Sequence, residues 1–354
     1  MPNNSRDDAR RVFWFNDNKT PNVYDALSKV DAVKAFKLYF DTPQDENWEI
    51  MESCHAYCIT AARDEVLDQY KGHGELLDRC KKLLVLSSSG AGYDPIDVAA
   101  CTERGVLVVN QAGANAEAVA EHAVGMMLSL AKNIPQTDKS LRSERGVERE
   151  TFKGWNMEGK TVGIVGLGNT GSRVARICRN GLSMRVLAYD PYITNADFTD
   201  QGAIETELEA LLEQADFISI NCPFNSETKD LISRAELALM QPSAFLVNCA
   251  RGGIANEAAM IEALEDKQIR GIGLDVWDEE PPPLDHPLLQ FDNLIATYHT
   301  AGVTFESREN MASWNADQVV KTLSGKKPER LINPEAWDKF CDRYESLFGE
   351  RPCD

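Results

Sequence analysis

The 354-residue chain lacks any apolar run near the roughly 18 residues that a membrane helix needs. Its first residues, MPNNSRDDARR, are polar where a secretory signal would be apolar, so the cytoplasm is the expected location and no membrane partner is expected. Positive charge is also short. With 37 Lys and Arg against 56 Asp and Glu, the net charge of −19 repels a phosphate backbone, and no basic stretch interleaved with aromatics offsets it. A nucleic-acid partner is therefore not expected. The nine cysteines are scattered and form no CxxC pair; Cys54 and Cys58 flank His55, but no second cluster supplies further ligands, so no metal site is expected. Such cysteines read as small buried thiols in a reducing compartment. Histidine is scarce at five residues, which makes the place of each one informative.

What is present is an average globular composition, 43% hydrophobic and 26% charged, over a length that predicts two domains of roughly 150 to 200 residues. From Lys160 onward, β-rich apolar runs alternate with helical patterns: TVGIVGLG, SRVARICRNG, RVLAYD, ETELEALLEQA, FISINCP, SRAELALM, AFLVNCA, NEAAMIEALED, GIGLDVW and LIATYH. This alternation predicts a doubly wound α/β fold, a parallel sheet covered on both faces. The N-terminal part repeats the grammar more loosely through RRVFWF, AFKLYFD, AYCITA, KLLVLSSSG and VLVVNQ, and predicts a second, smaller α/β unit. Between them, Asn115 to Ile134 reads as a long, largely buried helix. Gln136 to Trp155 has little periodicity and reads as a segment wrapping back to the second unit, while Lys326 to Asp354 is too short for a further regulatory domain.

VGIVGLGNTGSRVA sets Gly166, Gly168 and Gly171 between a strand and a helix. The first glycine permits a tight turn, the second lets backbone approach a pyrophosphate, and the third lets the helix pack closely on the strand. Helix N-terminal amides then face the phosphates. GxGxxG alone is a weak pattern, but here the next strand ends in Asp190, 19 residues after Gly171. A carboxylate at that spacing can accept the ribose hydroxyls and repels a 2′-phosphate, so the expected cofactor is NAD.

Three more strand ends carry polar residues: Arg251 in NCARGG, Glu280 in DVWDEEP and His299 in TYHTAG. Ligands of open parallel sheets gather beyond the carboxyl ends of the strands, so these three can converge on one crevice. Each alone has a bland reading as a surface cation, a solvated acid or a buried histidine. Together they suit hydride transfer to or from a 2-oxo or 2-hydroxy acid. Arginine can fork onto a carboxylate, histidine titrates near working pH, and a carboxylate orients the imidazole and favours its charged form.

These segments, with SSSGAGYDPID, NAEAVAEHA and NCPFNSET, follow the order seen in the NAD-dependent D-isomer-specific 2-hydroxyacid dehydrogenases, which the chain resembles from about Lys82 to Pro334. The resemblance implies a Rossmann cofactor domain, residues 116–303, inserted into a smaller flavodoxin-like substrate domain, residues 1–115 and 304–354. It implies that Arg251 binds the substrate carboxylate and C2 oxygen, that His299 is the acid/base paired with Glu280, and that the amides of Ala91 and Gly92 hold the carboxylate. On the cofactor side it implies Asn169 and Thr170 at the pyrophosphate and Asp190 at the ribose. Cys222 and Pro223 would line the adenosine side, with Thr228 nearby, and the Ala250 carbonyl and Asp275 carboxylate would hold the nicotinamide carboxamide. A homodimer built around Val119 to Leu130 is implied as well.

Two positions depart from the family's pattern: Tyr298 stands where proline is usual, and Ser88 where many members carry arginine. Glutamate rather than glutamine at 280 argues against formate as substrate. ITAARDEV offers only Arg63 where phosphate-specific members resemble an arginine pair, so phosphoglycerate and smaller acids such as glyoxylate or hydroxypyruvate stay open. A different class is an NAD-sensing binding protein like the related corepressors, which would bind NADH tightly without turnover.

Overall fold

The computed structural model describes residues 9–15, 27, 30, 33–61 and 65–352. Arg63 and Cys353 lie outside them. The chain divides into two compact units, Met1–Asn115 with Thr304–Asp354, and Ala116–Val303.

The first unit holds β1 (Arg10–Phe15), β2 (Val33–Leu38), β3 (Ala56–Ile59), β4 (Val85–Ser88) and β5 (Leu107–Val109) in the order β2-β1-β3-β4-β5. All four pairings are parallel, which is the flavodoxin-like order. Alternation along RRVFWF sends Phe13 and Phe15 to one face and Val12 and Trp14 to the other. Phe13 stacks on Tyr57 at 4.3 Å and Phe15 on Tyr70 at 4.4 Å. The opposite face packs on the helices Phe305–Leu323 and Trp337–Phe348 through Ala312, Val319, Phe340 and Tyr344. Each fully buried aromatic or aliphatic side chain contributes about 1.5–3 kcal/mol, so the C-terminal segment is part of this core.

The second unit holds β6 (Thr161–Val165), β7 (Arg185–Tyr189), β8 (Ile204–Glu205), β9 (Phe217–Ile220), β10 (Phe245–Asn248), β11 (Gly271–Leu274) and β12 (Leu294–Ala296). Their order, β12-β11-β10-β9-β6-β7-β8, is the doubly wound Rossmann arrangement with one added strand, and every pairing is parallel. The strand order reverses between β6 and β9, the switch point at which such sheets bind dinucleotides. Strands buried on both faces read as unbroken apolar runs, as TVGIV, FISI and FLVN do. One face packs on Ala116–Ala131, whose Ala120, Ala123, Met127 and Leu130 are buried, as its composition predicts. The other face packs on Leu211, Leu237, Ala259 and Met260.

Two features depart from the sequence reading. The two-residue edge strand β8 carries no apolar run and has no counterpart there. The segment after Gln136 is not irregular throughout: Ile134–Ser143 is helical although none of its residues is buried. Pro135 in its first turn and the Asp138–Arg142 pair, 2.8 Å apart at i,i+4, support it in place of an apolar stripe. Trp155 does return to the unit's core, edge-on to Phe245. No helix among the described residues is long and apolar enough to cross a membrane. The eight described cysteines are free thiols, seven buried and Cys222 half-buried.

Candidate functional site

Beyond β6 the chain turns at Gly166, whose φ of 90° is the left-handed region that glycine alone adopts without strain. A Cβ there would lie 2.8 Å from the Cys222 amide nitrogen, so the turn is pressed against the end of β9. At Gly171 a Cβ would lie 2.0 Å from the Gly166 carbonyl oxygen, which is why the helix Asn169–Leu182 can start so close to the strand. Gly168 differs, because the place a side chain would take faces open space. Protein packing does not demand glycine there, and what its lack of a side chain leaves clear is the approach to the helix's first amides. Those amides have no partner within a helix, and together with the helix dipole they favour a phosphate.

Asp190 follows β7 and faces this loop. Its Oδ2 accepts the Leu167 amide at 2.9 Å and its Oδ1 accepts the Tyr192 amide at 3.1 Å. The carboxylate thus both opens the turn at Pro191 and ties down the glycine loop, and each oxygen keeps a lone pair for ribose hydroxyls. Gly166, Gly168, Asn169, Thr170, Gly171 and Asp190 therefore fit a dinucleotide without rearrangement of their types. On the far side of the switch point, the Thr228 hydroxyl donates to the Pro223 carbonyl at 2.6 Å and accepts the Asn225 amide at 2.8 Å, so it shapes the loop after β9. Burial pushes the Cys222 thiol up to about 11, which keeps it a neutral apolar contact.

Two of the three polar strand ends meet, and the third acts on both electrostatically. His299 Nδ1 lies 2.8 Å from Glu280 Oε2. Burial pushes Glu280 up, but the hydrogen bond and charge of His299, the Trp277 amide and the Arg251 cation outweigh it and hold the carboxyl below its ordinary range. Burial likewise lowers His299, and Glu280 more than reverses this, leaving the imidazole above its ordinary value of 6.5; Arg251 opposes the rise and Asp275 assists it. Arg251 is thus close enough to act on both partners. Its Nη1 donates to the Ala250 carbonyl at 2.7 Å, which aims the fork and occupies the carbonyl that the family resemblance gives to the carboxamide.

Several side chains that build this constellation drew no assignment from the sequence. Asn248, at the end of β10, accepts the Ala250 amide and donates to the Arg251 carbonyl at 2.9 Å, fixing the loop that carries the guanidinium. Thr297 donates to Asp275 Oδ1 at 2.6 Å and meets His122 Nε2 at 3.2 Å. The only sign of such residues in the sequence is a polar side chain closing an apolar run. Asp275 is fully buried, and its oxygens also accept the amides of Thr300 at 2.8 Å and Ala301 at 2.9 Å, while its carbonyl accepts the His299 amide at 2.7 Å. The carboxylate therefore holds the loop of the histidine from within.

In the first unit, the Gly90 carbonyl accepts the Gln111 amide at 2.8 Å and the Ala91 carbonyl accepts Asn110 Nδ2 at 2.7 Å. In a trans peptide the N–H points opposite to the C=O, so the Ala91 and Gly92 amides both face away from Asn110 and Gln111. Ser88 is fully buried and donates to the Gly92 carbonyl, so position 88 supports this loop from beneath.

Two parallel α/β units, one with a dinucleotide loop at its switch point and an Arg, Glu and His set at its strand ends, define a nucleotide-dependent dehydrogenase fold. Residues 124–301 match the family described as D-isomer specific 2-hydroxyacid dehydrogenase, NAD binding domain, and the chain belongs to that family. NAD is accordingly the cofactor of the second unit. The chain is 40% identical over 261 residues to D-3-phosphoglycerate dehydrogenase of Methanocaldococcus jannaschii, covering 73% of this chain and 49% of that protein. It is 35% identical over 277 residues to glyoxylate reductase of Thermofilum pendens, covering 74% and 78%. The chain thus spans about half the length of the phosphoglycerate dehydrogenases it matches. Among solved structures it is similar to D-lactate dehydrogenase of Aquifex aeolicus complexed with NAD and lactic acid, at a TM-score of 0.75 and 26% identity, covering 89% of this chain and 96% of that one.

Proposed function

We propose that the protein is an NAD-dependent oxidoreductase acting at C2 of a D-2-hydroxy or 2-oxo acid, with the second unit as its cofactor domain and the first as its substrate domain. The observation that carries this reading is the 2.8 Å contact between His299 Nδ1 and Glu280 Oε2, with Arg251 in electrostatic reach of both. When bound, the nicotinamide cofactor supplies or removes the hydride.

The protein's own residues manage the oxygen and its proton. Because Nδ1 is engaged by Glu280, the nitrogen left to exchange a proton with the substrate's C2 oxygen is Nε2. In reduction the imidazolium gives that proton; in oxidation the neutral ring takes it. Glu280 keeps the ring oriented and compensates its charge, which is why the proton can rest there near neutral pH. The Arg251 fork binds the carboxylate and polarises the neighbouring C2 oxygen; in the first unit, the Ala91 and Gly92 amides are donors suited to a carboxylate. On the cofactor side, Asn169 and Thr170 receive the pyrophosphate, Asp190 the ribose, and Cys222, Pro223 and Thr228 border the adenosine. The Ala250 carbonyl meets the carboxamide through its second lone pair.

The names of the relatives support glyoxylate and 3-phosphoglycerate as the acids to try first. The experiment is a panel of 2-oxo acids with NADH and of 2-hydroxy acids with NAD, followed by NADH absorbance at neutral pH. Turnover of at least one acid is expected; tight NADH binding with no turnover across the panel would refute the reading. A cytoplasmic homodimer belongs to the same proposal. It is supported by the free thiols and, for the dimer expected around Val119 to Leu130, by the next helix, Ile134–Ser143, none of whose residues is buried and which exposes Leu141 at 70%. Sedimentation showing only monomer would contradict the dimer.

A further inference from the structure

We infer that Trp277 is a positioning residue that sets the register of Arg251, Glu280 and His299 by touching each of the three segments that carry them. Its backbone amide donates to Glu280 Oε1 at 3.0 Å, which fixes the carboxylate and turns Oε2 to His299. Its indole Nε1 donates to the Thr297 carbonyl at 3.1 Å, two residues ahead of the imidazole. Its own carbonyl lies against Gly252, the residue after Arg251, where a Cβ would come within 2.0 Å of that oxygen. One buried residue therefore spaces the guanidinium loop, the carboxylate and the histidine loop.

The tryptophan is itself gripped from outside. The His286 ring meets its ring edge-on at 5.7 Å, and His286 Nε2 lies 3.1 Å from Glu257 Oε2. The other Glu257 oxygen accepts the Asp278 amide at 2.9 Å, fixing the residue that follows Trp277. The indole is 4% exposed, so it cannot drift while its N–H holds Thr297. Phenylalanine would fill most of the same space but carries no donor, and the tie to the histidine loop would be lost while the packing stayed.

The inference rests on the dehydrogenase reading, so its test needs a readout that does not. Trp277→Phe is compared with the unchanged chain in steady-state turnover, in NADH affinity by fluorescence, and in the titration of the His299 ring by NMR without cofactor, the signal being assigned with His299→Asn. Loosening the loop by a fraction of an ångström should lower kcat by roughly 10- to 100-fold with NADH affinity changed less than about two-fold. The ring should titrate nearer the ordinary imidazole value, because its bond to Glu280 is no longer held in register. Unchanged kcat and titration would overturn the inference. A parallel loss of kcat, NADH affinity and melting temperature would overturn it too, by making Trp277 only a core residue. If the unchanged chain turns over no acid, the dehydrogenase reading fails, and the titration alone still decides for or against Trp277.

Discussion

The Nδ1 atom of His299 and the Oε2 atom of Glu280 stand 2.8 Å apart, and each drives the other's proton equilibrium away from neutrality of charge: the imidazole is raised above 6.5 and the carboxyl held below 4.5. Between those limits the pair is an imidazolium and a carboxylate. Reduction, which needs the imidazolium, should hold its rate below the raised histidine value and fall as pH rises through it. Oxidation, which needs the neutral ring, should rise over the same window. Replacing His299 by asparagine should lower turnover at least about 100-fold while NADH still binds. Near-normal turnover in that variant would end the assignment.

Glu280→Gln keeps a hydrogen-bonding side chain and removes the charge. Burial and Arg251 both lower His299, and only Glu280 and Asp275 raise it, so without the Glu280 charge the imidazole should fall back. The basic limb of the reduction profile should then move to lower pH, with a loss at pH 7.5 larger than the loss at pH 6. A profile of kcat/KM against pH checks this; two superimposable profiles would mean that Glu280 does not govern the proton.

Arg251 donates Nη1 to the Ala250 carbonyl, and the proposed reading gives its planar fork the substrate carboxylate. Lysine keeps the charge but cannot reproduce two parallel donors. Losing one charge-assisted hydrogen bond costs about 1.5–3 kcal/mol, so Arg251→Lys should lower kcat/KM for the acid by roughly 10- to 100-fold. The effect should fall on the acid and spare the KM for NADH. Equal losses for both would place the guanidinium elsewhere in the reaction.

Asp190 has two tasks, and a substitution separates them. Asparagine can still accept one of the two amides, Leu167 or Tyr192, but carries no charge to repel a 2′-phosphate. Asp190→Asn should weaken NADH several-fold and narrow the preference over NADPH. Titrating both coenzymes by fluorescence checks it. A chain that already prefers NADPH would show that the carboxylate does not select the ribose.

Much of this was legible because strands buried on both faces leave continuous apolar runs, and because Arg251, Glu280 and His299 interrupt the pattern where those runs end. The edge strand at Ile204 and Glu205 is exposed and two residues long, so no pattern marks it. The helix Ile134–Ser143 hides for a related reason: it is held by local side-chain pairs and has no buried face. Within the site, what escaped is direction. Trp277 in GIGLDVW is buried, but which way its indole N–H points depends on a loop 20 residues further on. Asn248 and Thr297 likewise act through bonds that no spacing reveals.

Asp275 shows how far such a bond network decides a role. His299 sits at φ 52°, a left-handed conformation that a side-chain-bearing residue adopts at a cost of order 1–3 kcal/mol. The carboxylate of Asp275 offsets it by accepting Thr297, Thr300 and Ala301 around that residue. Asparagine in its place must set an NH2 against either the Thr300 or the Ala301 amide, leaving a buried donor without an acceptor, which costs about 1–3 kcal/mol. If the loop is what Asp275 serves, Asp275→Asn should lower the melting temperature by several degrees and kcat by at least about ten-fold, with NADH affinity nearly unchanged. If the carboxylate instead met the nicotinamide directly, NADH affinity would fall first and the melting temperature of the free protein would hold. Calorimetry without cofactor and NADH titration, run on the same variant, tell the two apart.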